Sequence, residues 1–129
     1  MVTQTTHTIK RSEVRANKNK LYLFGDNIAR KGLGGQAAEM RYEPNTIGII
    51  TKKWPSNYPT SFLSDKELEK NQKLITEDIN KAIEKYKAGS YNEVIIPPLG
   101  TGLAQLPTKA PETYKFLQQE LERLINELS

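Results

Sequence analysis

Short apolar runs alternate along the chain with longer stretches of helical periodicity. Residues 21–24, 47–51 and 94–96 are brief, continuous hydrophobic runs, which are typical of strands buried on both faces of a sheet. Residues 3–15 mix β-branched and polar side chains in loose alternation, which predicts an edge strand within that segment. The pattern therefore predicts a sheet built from these segments.

Three other segments predict helices. Apolar residues recur at helical spacing after Ser64, and Gly89 stops the pattern where a C-terminal cap is expected. Ser64 and Glu67 match a capping box at the start of this helix. Residues 36–41 are mainly good helix formers, and Pro111 suits the first turn of a final helix. The inner face of the final helix is predicted to contain Tyr114, Leu117, Leu121, Leu124 and Leu128.

The order of these elements predicts an α/β fold. Strands that alternate with helices favour a small mixed, partly parallel sheet flanked by helices on both faces. A length of 129 residues fits one domain that spans the whole chain, residues 1–129.

The residue inventory excludes several kinds of chemistry. The chain has no cysteine and one histidine, His7, so we expect neither disulfides, thiol nucleophiles nor a metal site, and no cofactor is predicted. The first 20 residues contain no apolar stretch of the length that a signal peptide or membrane span needs. We therefore expect a cytoplasmic, intracellular protein without a membrane partner.

The charge balance is basic. Lysine and arginine number 19 against 15 acidic residues, a net charge of +4, and the excess of positive charge lies in the first half of the chain. This favours an anionic partner, which includes nucleic acid bound through the basic surface, but a solvated basic face without any partner explains it equally well. Nothing in the pattern predicts an oligomeric state.

Two glycine loops are the main candidates for function. The first loop has glycines at positions 32, 34 and 35 between an apolar strand and a helix, and the second has Gly100 and Gly102 around Thr101. Glycine allows positive φ and a close approach of backbone N–H groups to a phosphate. Since open α/β sheets bind ligands at the carboxyl ends of their strands, we expect both loops to flank one crevice and a diphosphate to bridge them. Each loop taken alone is also explained as a tight turn.

The candidate site contains two kinds of residue. Asp26 and Asn27 are the catalytic candidates, because Asp26 could orient or deprotonate water and Asn27 could fix a ribose hydroxyl. An Asp-Asn pair after a strand is equally explained as a turn that its own side chains cap. Trp54 is interpreted as a packed residue rather than as a platform for a base. The predicted ligand-binding residues are Gly25, Gly32, Gly34, Gly35, Gln36, Lys52, Leu99, Gly100, Thr101, Gly102 and Leu103.

Two segments resemble the macro domain family, which binds ADP-ribose and in many members hydrolyses ADP-ribosyl bonds. These segments are the strand, asparagine, glycine loop and helix of residues 21–41 and the strand followed by LGTGLAQLP in residues 94–107. The second motif is the stronger, and it is similar to the diphosphate loop of the branch that reverses ADP-ribosylation of nucleic acid bases. The resemblance implies a compact variant of bacterial or phage type. It places Asn27 near the distal ribose, Gly34 and Gly35 in the first phosphate loop and residues 99–103 in the second.

Two departures from the family pattern bear on mechanism. The family's adenine-binding aspartate has only Asp26 as a nearby candidate, and Arg41 stands where the base-reversing branch has a lysine. Arginine stays protonated and cannot act as the nucleophile or base that a lysine can. Three functions therefore stay open, namely an ADP-ribosyl glycohydrolase, a nucleotide-binding module without turnover, and a basic nucleic-acid-binding domain.

Overall fold

A four-stranded parallel sheet forms the centre of the molecule. The computed structural model describes all residues 1–129 and confirms the predicted α/β class. The strands follow one another in the sheet in the order β1-β4-β2-β3, and all three neighbouring pairs are parallel. A sheet expected to be partly parallel is thus parallel throughout, since a crossover that contains a helix joins each strand to the next. The strands are β1 (Val2–Gln4), β2 (Lys20–Asn27), β3 (Thr46–Lys52) and β4 (Glu93–Ile96).

Five helices cover the two faces of the sheet. The larger hydrophobic cluster packs α3 and α5 against one face, and the smaller cluster packs α1 and α2 against the other. None of the five combines the length and the apolar character that crossing a membrane requires. The helices are α1 (Arg11–Ala16), α2 (Ala37–Met40), α3 (Leu68–Ala88), α4 (Leu106–Lys109) and α5 (Pro111–Leu128).

Strand β2 shows why the central strands are continuously apolar. Side chains alternate between the two faces of a strand. Leu21 and Leu23 accordingly lie in the larger cluster, whereas Tyr22 and Phe24 lie in the smaller one. Because both faces are covered, every position of the run has to be hydrophobic.

The long helices begin and end close to the predicted positions. α3 ends at Ala88, with Gly89 as its C-terminal cap, and α5 begins at Pro111. The predicted capping box is only half formed. Ser64 Oγ accepts a hydrogen bond from the N–H of Lys66 at 3.2 Å, but the Glu67 carboxylate pairs with Lys53 instead of returning to Ser64.

An edge strand within residues 3–15 was predicted correctly, but it is confined to the start, since β1 ends at Gln4 and residues 11–16 form helix α1. The predicted end of the next strand was wrong. Strand β2 does not stop at Phe24 but continues to Asn27, with Asp26 paired with Ile50 of β3 and a register shift before Asn27. Pairing with β3 overrides the weak strand preference of Gly, Asp and Asn.

Candidate functional site

The two glycine loops meet at the carboxyl ends of β2 and β4. They line one cavity of about 220 Å³. The two loops approach each other closely, since Leu103 Cδ1 lies 3.5 Å from the position that a Cβ atom on Gly34 would take. The juxtaposition expected from the sequence is therefore present in the fold.

Most predicted site residues line this cavity. Leu99 does not, since it is buried in the larger hydrophobic cluster, and Gly102 does not, since it lies in open space beside the cavity. Sequence reasoning missed Lys31, Thr51 and Asn57, which also line it. The predicted residues found in the lining are Gly25, Asp26, Asn27, Gly32, Gly34, Gly35, Gln36, Lys52, Gly100, Thr101 and Leu103.

The first loop presents backbone donors that no protein group accepts from. No hydrogen bond of the structure starts at the N–H of Gly32, Leu33, Gly34 or Gly35. Gly32 and Gly35 have φ values of 90° and 57°, which residues with a side chain rarely adopt. Successive free N–H groups of this kind form a concave anion-binding surface.

The second glycine loop also has backbone N–H groups that donate to no protein acceptor. Gly100 has a φ of 82°, and its carbonyl accepts from the N–H of Leu106 at 2.8 Å. This bond turns the carbonyl of the loop toward α4, while the N–H groups of Gly100 and Thr101 donate to no protein acceptor. Both loops therefore offer free donors at one cavity.

Arg41 holds the first loop in place. Its side chain is buried, and its Nε donates to the carbonyl of Gly32 at 2.7 Å. Its Nη2 donates to the carbonyl of Lys31 at 3.2 Å and to Asp26 Oδ1. The guanidinium thus engages two carbonyls of the loop, which leaves the neighbouring N–H groups free for a ligand.

The Asp26 carboxylate fixes the position of the Arg41 guanidinium. Its carboxylate accepts from Arg41, from Arg30 Nη1 at 3.5 Å and from the N–H of Asn27 at 2.8 Å. Gly48 makes room for it, because a Cβ there would lie 2.6 Å from Asp26 Oδ2. With both oxygens already engaged, Asp26 is better suited to positioning the loop than to accepting a proton from water.

Arg30 extends this network to helix α3. Its Nη2 donates to both oxygens of the buried Asp78, at 2.6 and 2.8 Å, and Asp78 also accepts from the N–H of Ile50 in β3 at 2.9 Å. Two arginines and two aspartates therefore form one chain of contacts, whose formal charges cancel. We call Asp26, Arg30, Arg41 and Asp78 the loop network.

The amides of Asn27 and Gln36 are used within the protein. Asn27 Nδ2 donates to the carbonyl of Lys31 at 2.6 Å, and its Oδ1 accepts from the N–H of Lys31 at 3.3 Å. This agrees with the alternative in which the pair caps its own turn. Gln36 likewise exchanges two hydrogen bonds with the backbone of Ile9. Both residues support the cavity wall rather than offering it free polar groups.

Lys52 is a cation of the cavity lining that has no protein partner. It is 9% exposed, and its Nζ makes no hydrogen bond or ion pair with the protein. The ammonium lies 4.9 Å from the centre of the Phe62 ring. Burial lowers the pKa of Lys52, since it penalises the charged form. An anion in the cavity would supply the partner that the protein does not.

Exposed apolar side chains occur in the segments that border the cavity. Leu33 and Leu103 are 58% and 57% exposed, and each belongs to one of the glycine loops. Trp54 is 53% exposed and precedes Pro55, which lines the cavity. The prediction that Trp54 packs against the core was therefore wrong, since its loop leaves the sheet after β3 and carries the ring outward.

A second, uncharged cavity lies across the second glycine loop. It measures about 180 Å³ and shares Pro98 and Thr101 with the first. Its lining has apolar walls and the polar side chains of Gln4, Thr5, Thr101, Tyr114 and Gln118. The Thr5 hydroxyl is buried there without a hydrogen-bond partner. This cavity suits a neutral group with hydrogen-bonding edges.

Comparison with known families places most of the chain in one of them. A model described as a family of unknown function (DUF7831) matches residues 4–120. The chain belongs to this family. The DUF7831 match includes both glycine loops, Arg41 and Lys52. No curated protein and no solved structure matches this DUF7831 member significantly.

Proposed function

We propose that the chain binds a nucleotide diphosphate of the ADP-ribose type and holds the diphosphate between the two glycine loops. The observation that carries the proposal is that free N–H groups of both loops border one cavity. A diphosphate has acceptor oxygens on both phosphorus atoms, so it can accept from both loops at once. Lys31 and Lys52 add positive charge to the lining.

The nucleobase belongs in the second cavity under this proposal. That cavity has no charged lining residue, and Thr5 supplies a buried hydroxyl that lacks a partner. A ring with donors and acceptors on its edges satisfies such a hydroxyl, whereas a phosphate gains little from apolar walls. Thr101 borders both cavities, so the ligand crosses the second loop at this residue.

Binding without turnover is the form of the proposal that the contacts favour. Asp26 is the one carboxylate in the cavity lining, and two guanidiniums already engage it. Asn27, the other catalytic candidate, has both ends of its amide bound to the backbone of Lys31. An ADP-ribosyl glycohydrolase of this chain would need water activated by the bound ligand itself. The macro domain resemblance is compatible with either form and belongs to the same proposal.

Titration calorimetry with ADP-ribose, AMP and NAD tests the proposal. We expect saturable binding of ADP-ribose and weaker binding of AMP, which lacks the bridging diphosphate. Gly34→Glu should abolish binding, because it puts a carboxylate where the phosphate would lie. Gly34 has ordinary backbone geometry, and a Cβ there makes only a normal contact with Leu103, so the variant should fold. Gly34→Gln is the matched control, since it has the same size without the charge and should retain part of the affinity.

Two results would contradict the proposal. Equal affinities of wild type and Gly34→Glu for ADP-ribose would place the ligand outside the cavity. Binding of DNA or RNA that falls steeply with salt, without any binding of free nucleotides, would favour a nucleic-acid-binding domain instead. Incubation with an ADP-ribosylated substrate distinguishes binding with turnover from binding without it. Release of ADP-ribose by wild type that is lost in Asn27→Ala would favour an ADP-ribosyl glycohydrolase.

A further inference from the structure

The polar side chains of the second cavity are all of one kind, because each can both donate and accept a hydrogen bond. They are the amides of Gln4 and Gln118 and the hydroxyls of Thr5, Thr101 and Tyr114. None of these side chains takes part in a hydrogen bond with another group of the protein. All of them are therefore available to a ligand.

The hydrogen-bonding polarity of this lining is not fixed. A hydroxyl turns its hydrogen toward an acceptor or away from a donor, and a glutamine amide exchanges its oxygen and its nitrogen by a half-turn of the last torsion. A carboxylate only accepts and an ammonium only donates, but the lining contains neither. The side chains of the cavity thus give no preference to a donor over an acceptor on the ligand.

This property bears on the choice of base, because purines come in two opposite patterns. Adenine has a 6-amino donor beside an acceptor at N1, whereas hypoxanthine and guanine have a 6-oxo acceptor beside an N1–H donor. A site with groups of fixed polarity leaves a buried group unpaired against the wrong pattern, which weakens binding strongly. The buried Thr5 hydroxyl avoids this cost, since it accepts from the first pattern and donates to the second.

We propose that the second cavity binds 6-amino and 6-oxo purines with similar affinity, so that the ligand is a purine nucleotide diphosphate of either class. The inference rests on the proposed function, because it takes the base to cross the second glycine loop into this cavity. Thr5 and Gln118 are the specificity-determining residues. Thr5 adapts from β1 side of the lining and Gln118 from α5, each by rotation of its polar group.

Calorimetry on the full chain tests the inference with two probes that share one diphosphate. These are ADP-ribose and inosine diphosphate ribose, in which hypoxanthine replaces adenine. We expect the two dissociation constants of wild type to agree within about threefold. Gln118→Glu introduces an ionised carboxylate that only accepts, so it should favour the 6-amino ligand over the 6-oxo ligand by about tenfold. Gln118 is exposed on α5 and glutamate is a good helix former, so the variant should fold.

Two further variants separate the base from general charge effects. Gln119→Glu adds the same charge at the next position of α5, outside the cavity, and should leave the ratio of the two affinities unchanged. Thr5→Val removes the buried hydroxyl at nearly constant volume, and it should weaken both ligands by a similar factor of about threefold to tenfold.

Three results would overturn the inference. They are a preference of wild type for either ligand above about tenfold, an affinity ratio in Gln118→Glu that equals the ratio in Gln119→Glu, and unchanged affinities in Thr5→Val. The last two would mean that the base does not lie in the second cavity. Failure of the proposed function looks different, since neither nucleotide would then bind wild type, and the inference would fall with it.

Discussion

Gly100 and Gly102 have similar backbone angles but different surroundings. Both have positive φ, at 82° and 61°. A Cβ on Gly100 would lie 2.9 Å from Leu106 Cδ2 and 3.3 Å from Leu117 Cδ2, whereas a Cβ on Gly102 would meet nothing within 4 Å. We expect Gly102→Ala to lower the free energy of unfolding by about 1 kcal/mol through backbone strain, and Gly100→Ala by about 3 kcal/mol because steric overlap adds to that strain. Urea denaturation measures both, and equal losses would show that packing against α4 and α5 does not restrict the second loop.

The unpaired Lys52 should destabilise the free protein. Lys52→Met should raise the free energy of unfolding at pH 7 by about 1 kcal/mol, because it replaces the unpaired ammonium of a largely buried side chain with an apolar chain of similar length. Burial holds the pKa of Lys52 in the folded state below its ordinary value of 10.5. The cost of the charge is therefore full below the folded pKa and disappears as the pH rises toward the unfolded value. Denaturation of both proteins between pH 7 and pH 11 should show their difference shrinking with pH. A difference that stays constant would mean that the charge of Lys52 is not its cause.

At the scale of elements, the first glycine loop depends on a side chain from the end of α2. The Arg41 guanidinium donates hydrogen bonds to Asp26 and to the carbonyls of Lys31 and Gly32. A lysine cannot reach all three acceptors from one ammonium. Arg41→Lys should lower the free energy of unfolding by about 2 kcal/mol and weaken ADP-ribose binding, because the loop loses two of its restraints. Arg15→Lys is the matched control, since its side chain is 63% exposed and pairs only with Glu43. Denaturation and calorimetry on the two variants check this, and an unchanged affinity in Arg41→Lys would remove Arg41 from the positioning of the loop.

The sequence predicted those elements whose signal is local. Helices α3 and α5 are long enough for their periodicity to be unambiguous, and the strands have continuous apolar runs that burial on two faces requires. Helix α1 was missed because it has six residues and buries only Val14. It is docked instead by Arg11, which reaches Glu43 and the carbonyls of Ala38 and Arg41. A pairing across some 30 residues leaves no periodic trace in the chain.

The candidate site was predictable to a similar extent. Glycines between a strand and a helix are a local signal, and the parallel sheet brings the carboxyl ends of β2 and β4 to one edge. The roles of Asp26 and Arg41 were not visible, because they depend on Gly48 making room and on Arg30 reaching Asp78 of α3. Distant contacts decide which polar residues face the cavity with free groups and which only support its wall.

At the scale of the whole molecule, the sheet interior and the edge that carries the two glycine loops should differ in amide hydrogen exchange. Amides in the middle of β2 and β4 are hydrogen bonded and buried on both faces, so they should exchange slowly. The amides of Gly34, Gly35, Gly100 and Thr101 donate to no protein acceptor and should exchange rapidly in the free protein. A diphosphate that bridges the loops accepts from both, so ADP-ribose should slow exchange in residues 32–35 and in residues 100–103 at the same ligand concentration.

Exchange measured by NMR at several ADP-ribose concentrations resolves these amides one by one. Protection that follows a single binding curve in both loops requires one ligand to span them, because two separate phosphate sites would titrate independently. Gly34→Glu provides the internal control, since repulsion at the first loop should abolish protection at the second loop as well. Protection of one loop alone in wild type would mean that the diphosphate does not bridge the cavity, and the nucleotide would then have to be placed along a single loop.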